Sequence, residues 1–175
     1  MVLAQLLGLG AFNSMPMADA ERTLLTCCTS SRWAARVAAG RPYRWAEELY
    51  AAADTALAEL DNDDLDQAMA GHPRIGERAD GAHAKSSARE QSGVTRSAVA
   101  TLKALAEGNA EYEARFGHVY LVCADGRSGE ELLAVLRERL RNDPATERAK
   151  ARNELGKINR IRLRRLVGAE LGFAG

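Results

Sequence analysis

Residues 45–60 read WAEELYAAADTALAEL. Trp45, Leu49, Ala52, Ala53, Ala56, Leu57 and Leu60 recur at three- and four-residue steps, which is one face of a helix over about four turns of 3.6 residues. The same period appears on both sides. Upstream, Trp33 and Val37 with Ala34 predict a shorter helix ended by Gly40, after which Pro42 breaks the path. Before that, Ser14 or Asn13 can cap a helix with Pro16 in its first turn and Leu24, Leu25 and Cys28 inside. Val2 to Leu9 reads as a short first helix stopped by glycines. Downstream, Asp61-Asn62-Asp63-Asp64 is a break and a supply of caps, and Asp64 to Gly71 is a short helix.

Past Gly93, which weakens or divides its helix, Val94, Val99, Leu102, Leu105, Ala106 and Tyr112 keep helical spacing to about Arg115. The run Phe116–Cys123 differs. It is apolar and β-branched, bounded by Gly117 and by Asp125-Gly126, and so reads as extended or as a short buried segment. Ser128 with Glu131 forms a capping-box pattern for a helix with Leu132, Val135, Leu136 and Leu140 inside. Asn142-Asp143-Pro144 ends that helix and starts the last, which carries Ala149, Leu155, Ile158, Ile161, Leu163 and Leu166 among many arginines. No repeat, low-complexity tail or linker interrupts the pattern. The expectation is an all-α, single-domain bundle, 1–175, of about eight helices with one short extended segment near 118–123.

Composition narrows the function. Lys and Arg number 24, as do Asp and Glu, so no whole-protein field favours nucleic acid or an anionic membrane. The N-terminal MVLAQLLGLGAF is apolar but lacks a positive leader region and is too short to span a bilayer. Cys27, Cys28 and Cys123 stand in apolar runs without a zinc-ligand spacing, which fits buried thiols in a reducing cytoplasm.

Polar chemistry is concentrated in Gly71–Gly93, GHPRIGERADGAHAKSSAREQSG. Pro73 biases His72 towards an extended backbone and presents its imidazole beyond the preceding helix. Histidine exchanges protons near neutral pH, so His72 reads either as a catalyst or as a plain helix-end group. Ser87, Glu90 and Gln91 look like a helix start. Glu90 reads equally as the reciprocal partner of Ser87 in a capping box and as an acceptor for ligand N–H groups. Arg162, in Ile158-x-x-Ile161-Arg162-Leu163, needs an anion or carbonyl partner if it turns towards the apolar face; most helical arginines are simply solvated. Residues 118–122 can offer main-chain N–H and C=O groups to a heterocycle, or serve as a buried connector. A metal site from His72, Glu77 and His83 fits no common zinc spacing.

His72-Pro73-Arg74-Ile75-Gly76, Ser87-x-x-Glu90-Gln91-x-Gly93, Tyr112-x-x-Arg115-Phe116-Gly117 before Val119–Ala124, and Ile158-x-x-Ile161-Arg162-Leu163 stand in an order that resembles the OHCU decarboxylases. OHCU is 2-oxo-4-hydroxy-4-carboxy-5-ureidoimidazoline. The resemblance runs from about Phe12 to Leu166. It implies a cofactor-free helical enzyme of urate (purine) catabolism, a homodimer, which converts OHCU to (S)-allantoin and CO2 after urate oxidation and 5-hydroxyisourate hydrolysis. A functional association with the hydroxyisourate hydrolase would follow. On this resemblance His72 is the acid/base catalyst, with Glu90 accepting from the ligand or orienting it, and Pro73 is pocket wall. Ser87 and Gln91 bind ureido and ring groups, His118, Val119, Tyr120, Leu121 and Val122 contribute main-chain contacts, and Arg162 is a polar anchor.

Three rivals remain at this level: a non-enzymatic helical interaction module, a lyase or hydrolase acting on a related ureido heterocycle, and a metal-dependent hydrolase. Convergence of His72, Glu90 and Arg162 on one pocket would separate the enzyme from the module.

Overall fold

The computed structural model describes residues 8–76 and 91–168, with backbone alone for 91–97. Eight helices and no strand occur among the described residues, as the periodicity predicts. They fall into two compact units. One runs through Gly71 and resumes at Leu155; the other is His72–Glu154.

The first unit holds α1 (Gly8–Ser14), α2 (Met17–Leu25), α3 (Ser31–Ala39), α4 (Ala46–Ala58), α5 (Asn62–Ala70) and, from Leu155 on, the end of α8 (Pro144–Val167). Its core contains Phe12, Leu24, Trp33, Leu49, Leu65, Met69, Leu155 and Leu163, all fully buried. Burying Trp33 obliges its indole N–H to find a partner, and it donates to the Ala53 carbonyl at 2.9 Å. Several sequence expectations shift here. Val2–Leu7 lie outside the described residues, and α1 begins at Gly8, where a stop was expected. Pro16, not Asn13 or Ser14, occupies the cap of α2. Asn13 instead exchanges two hydrogen bonds with the Tyr43 main chain, at 2.8 and 3.0 Å. Trp45 is not core: it is the residue before α4, 54% exposed, with the Arg44 guanidinium over its ring.

The second unit holds α6 (Gln91–Phe116), α7 (Gly129–Arg139) and the first part of α8. Gly93 does not divide α6, which continues through it. The capping box of α7 is present in full. The Glu131 amide donates to Ser128 Oγ at 3.2 Å and the Ser128 amide to Glu131 Oε2 at 2.6 Å. Leu105, Tyr112, Tyr120, Val122, Leu132 and Leu136 make the core, with Ile75, Phe116, Leu133, Val135 and Leu140 packed around it. Val99 and Leu102, expected inside, are 60% and 40% exposed. At 3.6 residues per turn they lie about 60–120° round α6 from the stripe of Leu105, Asn109 and Tyr112 that faces the core. Residues 118–123 are neither helix nor strand, and this run is the main irregular stretch between α6 and α7.

Candidate active site

Gly71 closes α5, and His72 follows directly. No side chain fits at Gly71. A Cβ there would stand 2.4 Å from both Oγ1 and Cγ2 of Thr29, whose hydroxyl is held by the carbonyls of Gln67 and Ala68 at 3.0 and 3.2 Å. His72 is buried, at 7% exposure, whereas its neighbours Pro73 and Arg74 are exposed.

The loop after His72 is fastened to α6 at two adjacent residues. Arg74 grips Glu113 with two bonds, Nε to Oε1 at 2.6 Å and Nη2 to Oε2 at 2.9 Å. This hydrogen-bonded guanidinium holds the Glu113 carboxyl below its ordinary pKa. Asn109 donates through Nδ2 to the Ile75 carbonyl at 3.0 Å, and the Ile75 side chain packs on the unit's core. Gly76 then takes φ +96°, a left-handed conformation that side chains disfavour. A cavity of about 270 Å³ opens on this side of the loop, lined by Arg74, Ile75, Leu102, Asn109 and Glu113 among others. His72 and residues 118–122 do not line it.

The second candidate segment, 118–122, packs into the same core. His118, Tyr120, Leu121 and Val122 are buried, and Val119 is half-buried. The Tyr112 ring meets His118 and Tyr120 edge-on at 5.5 and 5.3 Å. His118 Nδ1 lies 3.1 Å from the Val119 carbonyl, a bond its Nδ1–H tautomer would donate. The Tyr120 hydroxyl donates to the Leu132 carbonyl at 3.0 Å, and burial pushes its pKa up to about 12. The Cys123 amide donates to Glu154 Oε2 at 2.8 Å. Among the described residues, the main-chain N–H groups of Val119, Tyr120, Leu121 and Val122 donate no hydrogen bond. Backbone amides in folded cores are nearly always paired, so four successive unused donors make this segment a candidate for main-chain contacts to a ligand. Neighbouring positions of α6 thus serve both parts: Asn109 and Glu113 hold the loop after His72, and Tyr112 holds 118–120.

Beneath the segment is a group that sequence reasoning missed. Arg139 and Glu147 are buried at 3% and 0% exposure. Arg139 donates from Nε to Glu147 Oε1 at 2.6 Å and from Nη1 to the Leu121 carbonyl at 2.5 Å. Its Nη2 also reaches Glu147 and, at 3.3 Å, the Tyr112 hydroxyl. The Tyr112 hydroxyl in turn donates to Glu147, and Asn142 Nδ2 donates to Glu147 Oε2 at 2.9 Å. Burial, and then the Glu147 acceptor, push the Tyr112 pKa well up. Burial works against the charge on Arg139 and is the largest single influence, but the Glu147 hydrogen bond together with the charge interactions with Tyr112, Glu147 and Tyr120 outweighs it, and the pKa is raised. The signal in the sequence is slight: Arg139 follows Leu132 and Leu136 at steps of four and three on the buried stripe of α7.

Arg162 belongs to the first unit and has the carbonyl partner its position requires. Its Nη1 donates to the Cys27 carbonyl at 2.8 Å, just past the end of α2. Gln91 opens α6. Ser87 and Glu90, like Glu77 and His83, lie outside the described residues. No group of three metal-ligating side chains occurs among the described residues. No described helix is long and apolar enough to cross a membrane.

These features can be set beside known proteins. The family model for OHCU decarboxylase matches residues 13–164. The uric acid degradation bifunctional protein TTL of Arabidopsis thaliana is 32% identical over 157 residues, covering 87% of this chain and 48% of that protein. The 2-oxo-4-hydroxy-4-carboxy-5-ureidoimidazoline decarboxylase of Amia calva is 44% identical over 59 residues, 34% of either chain. This chain therefore spans half or less of the length of these two relatives. A crystal structure of OHCU decarboxylase in the presence of (S)-allantoin superposes with TM-score 0.68 at 30% identity, covering 82% of this chain and 95% of that one. An (S)-allantoin synthase shares the fold, with TM-score 0.65 at 18% identity over 89% of this chain and 52% of that one. The extent of the family match and the near-complete coverage of the first of these structures lead to one conclusion: the chain belongs to the OHCU decarboxylase family.

Proposed function

We propose that this chain is a carboxy-lyase that decarboxylates OHCU to (S)-allantoin and CO2 in urate degradation, acting as one OHCU decarboxylase-like domain. The observation that carries the reading is His72, a buried imidazole in a loop fastened to α6, within a chain of this family.

The chemistry needs little from the protein beyond proton transfer and positioning. OHCU has a C=N beside the carboxylated carbon. When the bond to the carboxylate breaks, its electron pair moves towards that C=N, whose nitrogen takes a proton, and CO2 leaves. The 4-hydroxyl proton is then lost as the ring carbon bearing the ureido group gains one. His72 moves protons between the hydroxyl and the ring, and delivery to one face fixes the hand of the product. A positioned acid/base of this kind contributes ~10²–10⁴-fold. Amides of 119–122 hold the planar ligand, and fixed contacts of that type supply orientation. The family resemblance extends the binding set to Pro73, Ser87, Gln91 and Arg162, with Glu90 as partner of the catalyst. It also supports a homodimer in the cytoplasm. The Arabidopsis relative, named as bifunctional and about twice as long, is consistent with an association between this activity and the preceding hydrolase.

The test follows allantoin chirality by circular dichroism, with OHCU made fresh from urate. OHCU decays unaided to racemic allantoin. Rapid appearance of an (S)-allantoin signal, abolished in a folded His72→Asn variant, is the expected result. Slow racemic decay with well-folded wild type would point instead to a related ureido substrate.

A further inference from the structure

We infer that Arg139, locked by Glu147 and Tyr112, is a positioning residue for the substrate: it fixes the peptide plane that joins Leu121 to Val122, so that the unused Val122 amide is held for the ligand. This rests on the decarboxylase reading above.

Taking both ions out of water is expensive, and a buried ion pair is often no more stabilising than apolar residues of the same volume. Core stability alone is therefore a weak reason for this arrangement. What an apolar core lacks is the third contact, from Nη1 to the Leu121 carbonyl. The guanidinium fork meets three parts of the unit at once: Tyr112 on α6, Glu147 on α8 and Leu121 in the irregular segment. It also lies over the Tyr120 ring, 5.0 Å from the centroid.

A trans peptide is planar, with its C=O and N–H pointing opposite ways. Holding the Leu121 carbonyl on Arg139 therefore turns the Val122 N–H away from the buried pair. In the next plane, the Cys123 amide is taken by Glu154, which turns the Val122 carbonyl away from Glu154. Two consecutive planes are set from the protein side, and Val122 is left with a donor and an acceptor that no described residue uses. Such a pair suits the N–H and C=O of a cyclic or ureido amide. Without the Arg139 contact the segment has no helix or strand ladder to keep its direction.

The experiment compares KM, kcat and the enantiomer composition of allantoin for wild type, Arg139→Lys and Tyr112→Phe, well below their melting temperatures. Val37→Ala, a core truncation in α3, serves as a control of similar stability loss. Lysine keeps the charge but cannot reach Leu121, Glu147 and Tyr112 together. Arg139→Lys is expected to raise KM about ten-fold, the equivalent of one lost charged contact, and to erode the excess of (S)-allantoin. Tyr112→Phe moves both quantities in the same direction by less. Val37→Ala leaves both unchanged. Wild-type KM and product hand in the arginine and tyrosine variants would overturn the inference; if Arg139→Lys does not fold, Tyr112→Phe decides. A wild type that does not accelerate OHCU decay would remove the decarboxylase reading and this inference with it. That result is distinct from an active wild type with unmoved variants.

Discussion

Arg139 Nη1 donates to the Leu121 carbonyl at 2.5 Å, across eighteen residues of sequence. The same guanidinium is neutralised by Glu147, and neither group reaches solvent. Removing one member leaves the other charged and buried. Glu147→Leu should lower unfolding free energy by about 3–5 kcal/mol, whereas replacing both, Arg139→Met with Glu147→Leu, should cost much less than the sum of the two singles. Urea unfolding of the four proteins gives the coupling. Additive losses would mean that the pair is not a unit.

Thr29 sets a second constraint, at the end of α5. Gly71→Ala would drive a methyl into a threonine whose hydroxyl is engaged with two carbonyls, so the side chain has no easy way to yield. A loss of about 1–3 kcal/mol is expected, as for other overpacked sites. Thr29→Ala in the same chain should recover part of it, even though it costs stability alone. Thermal melts of both singles and the double check this. A Gly71→Ala protein as stable as wild type would show that the end of α5 shifts freely.

These two contacts mark where the sequence stops being readable. Helix existence was legible because the apolar period of 45–60 and the Ser128–Glu131 box are local signals; the box appears in full and the period holds from Leu49 on, with Trp45 outside the helix and exposed. The irregular run at 118–123 was also legible, from its composition and its glycine and aspartate borders. Which side of α6 faces inward was not, since Val99, Leu102 and Ala106 look as apolar as Leu105, and only the placement of α7 selects among them. In the candidate site, His72 and 118–122 stood out by residue type. Arg139 and Glu147 did not, because charged residues on helices are usually solvated and their pairing joins α7 to α8. Nor did Arg74, Asn109 and Glu113, whose contacts span more than thirty residues.

Arg162 offers a test between two roles. Its bond to the Cys27 carbonyl is a sufficient structural reason for the side chain. Losing it, in Arg162→Ala, should cost about 1–2 kcal/mol. If Arg162 also anchors substrate, KM should rise at least ten-fold, and Arg162→Lys should recover stability better than affinity. A stability loss with unchanged KM would leave Arg162 as a helix-end ligand alone.

The buried tyrosines and thiols predict how the fold responds to alkali. Burial pushes Cys27 up to about 11 from 9.0 and Tyr120 up to about 12 from 10.0, and raises Cys28 and Tyr112 as well. In each case the folded state holds its proton at a pH where the unfolded chain has released it. The unfolded state then binds fewer protons, so stability falls as pH rises. The contribution from Cys27 is fully present below pH 9 and is lost from there towards 11; that from Tyr120 is fully present below pH 10 and is lost towards 12. Urea unfolding from pH 8 to 11 should therefore show a decline that begins near 9 and steepens above 10. Cys27→Ala should flatten the first part of that slope and Tyr120→Phe the second, whatever each substitution costs at neutral pH. A stability profile that stays level to pH 11 would mean that these groups become exposed before they titrate.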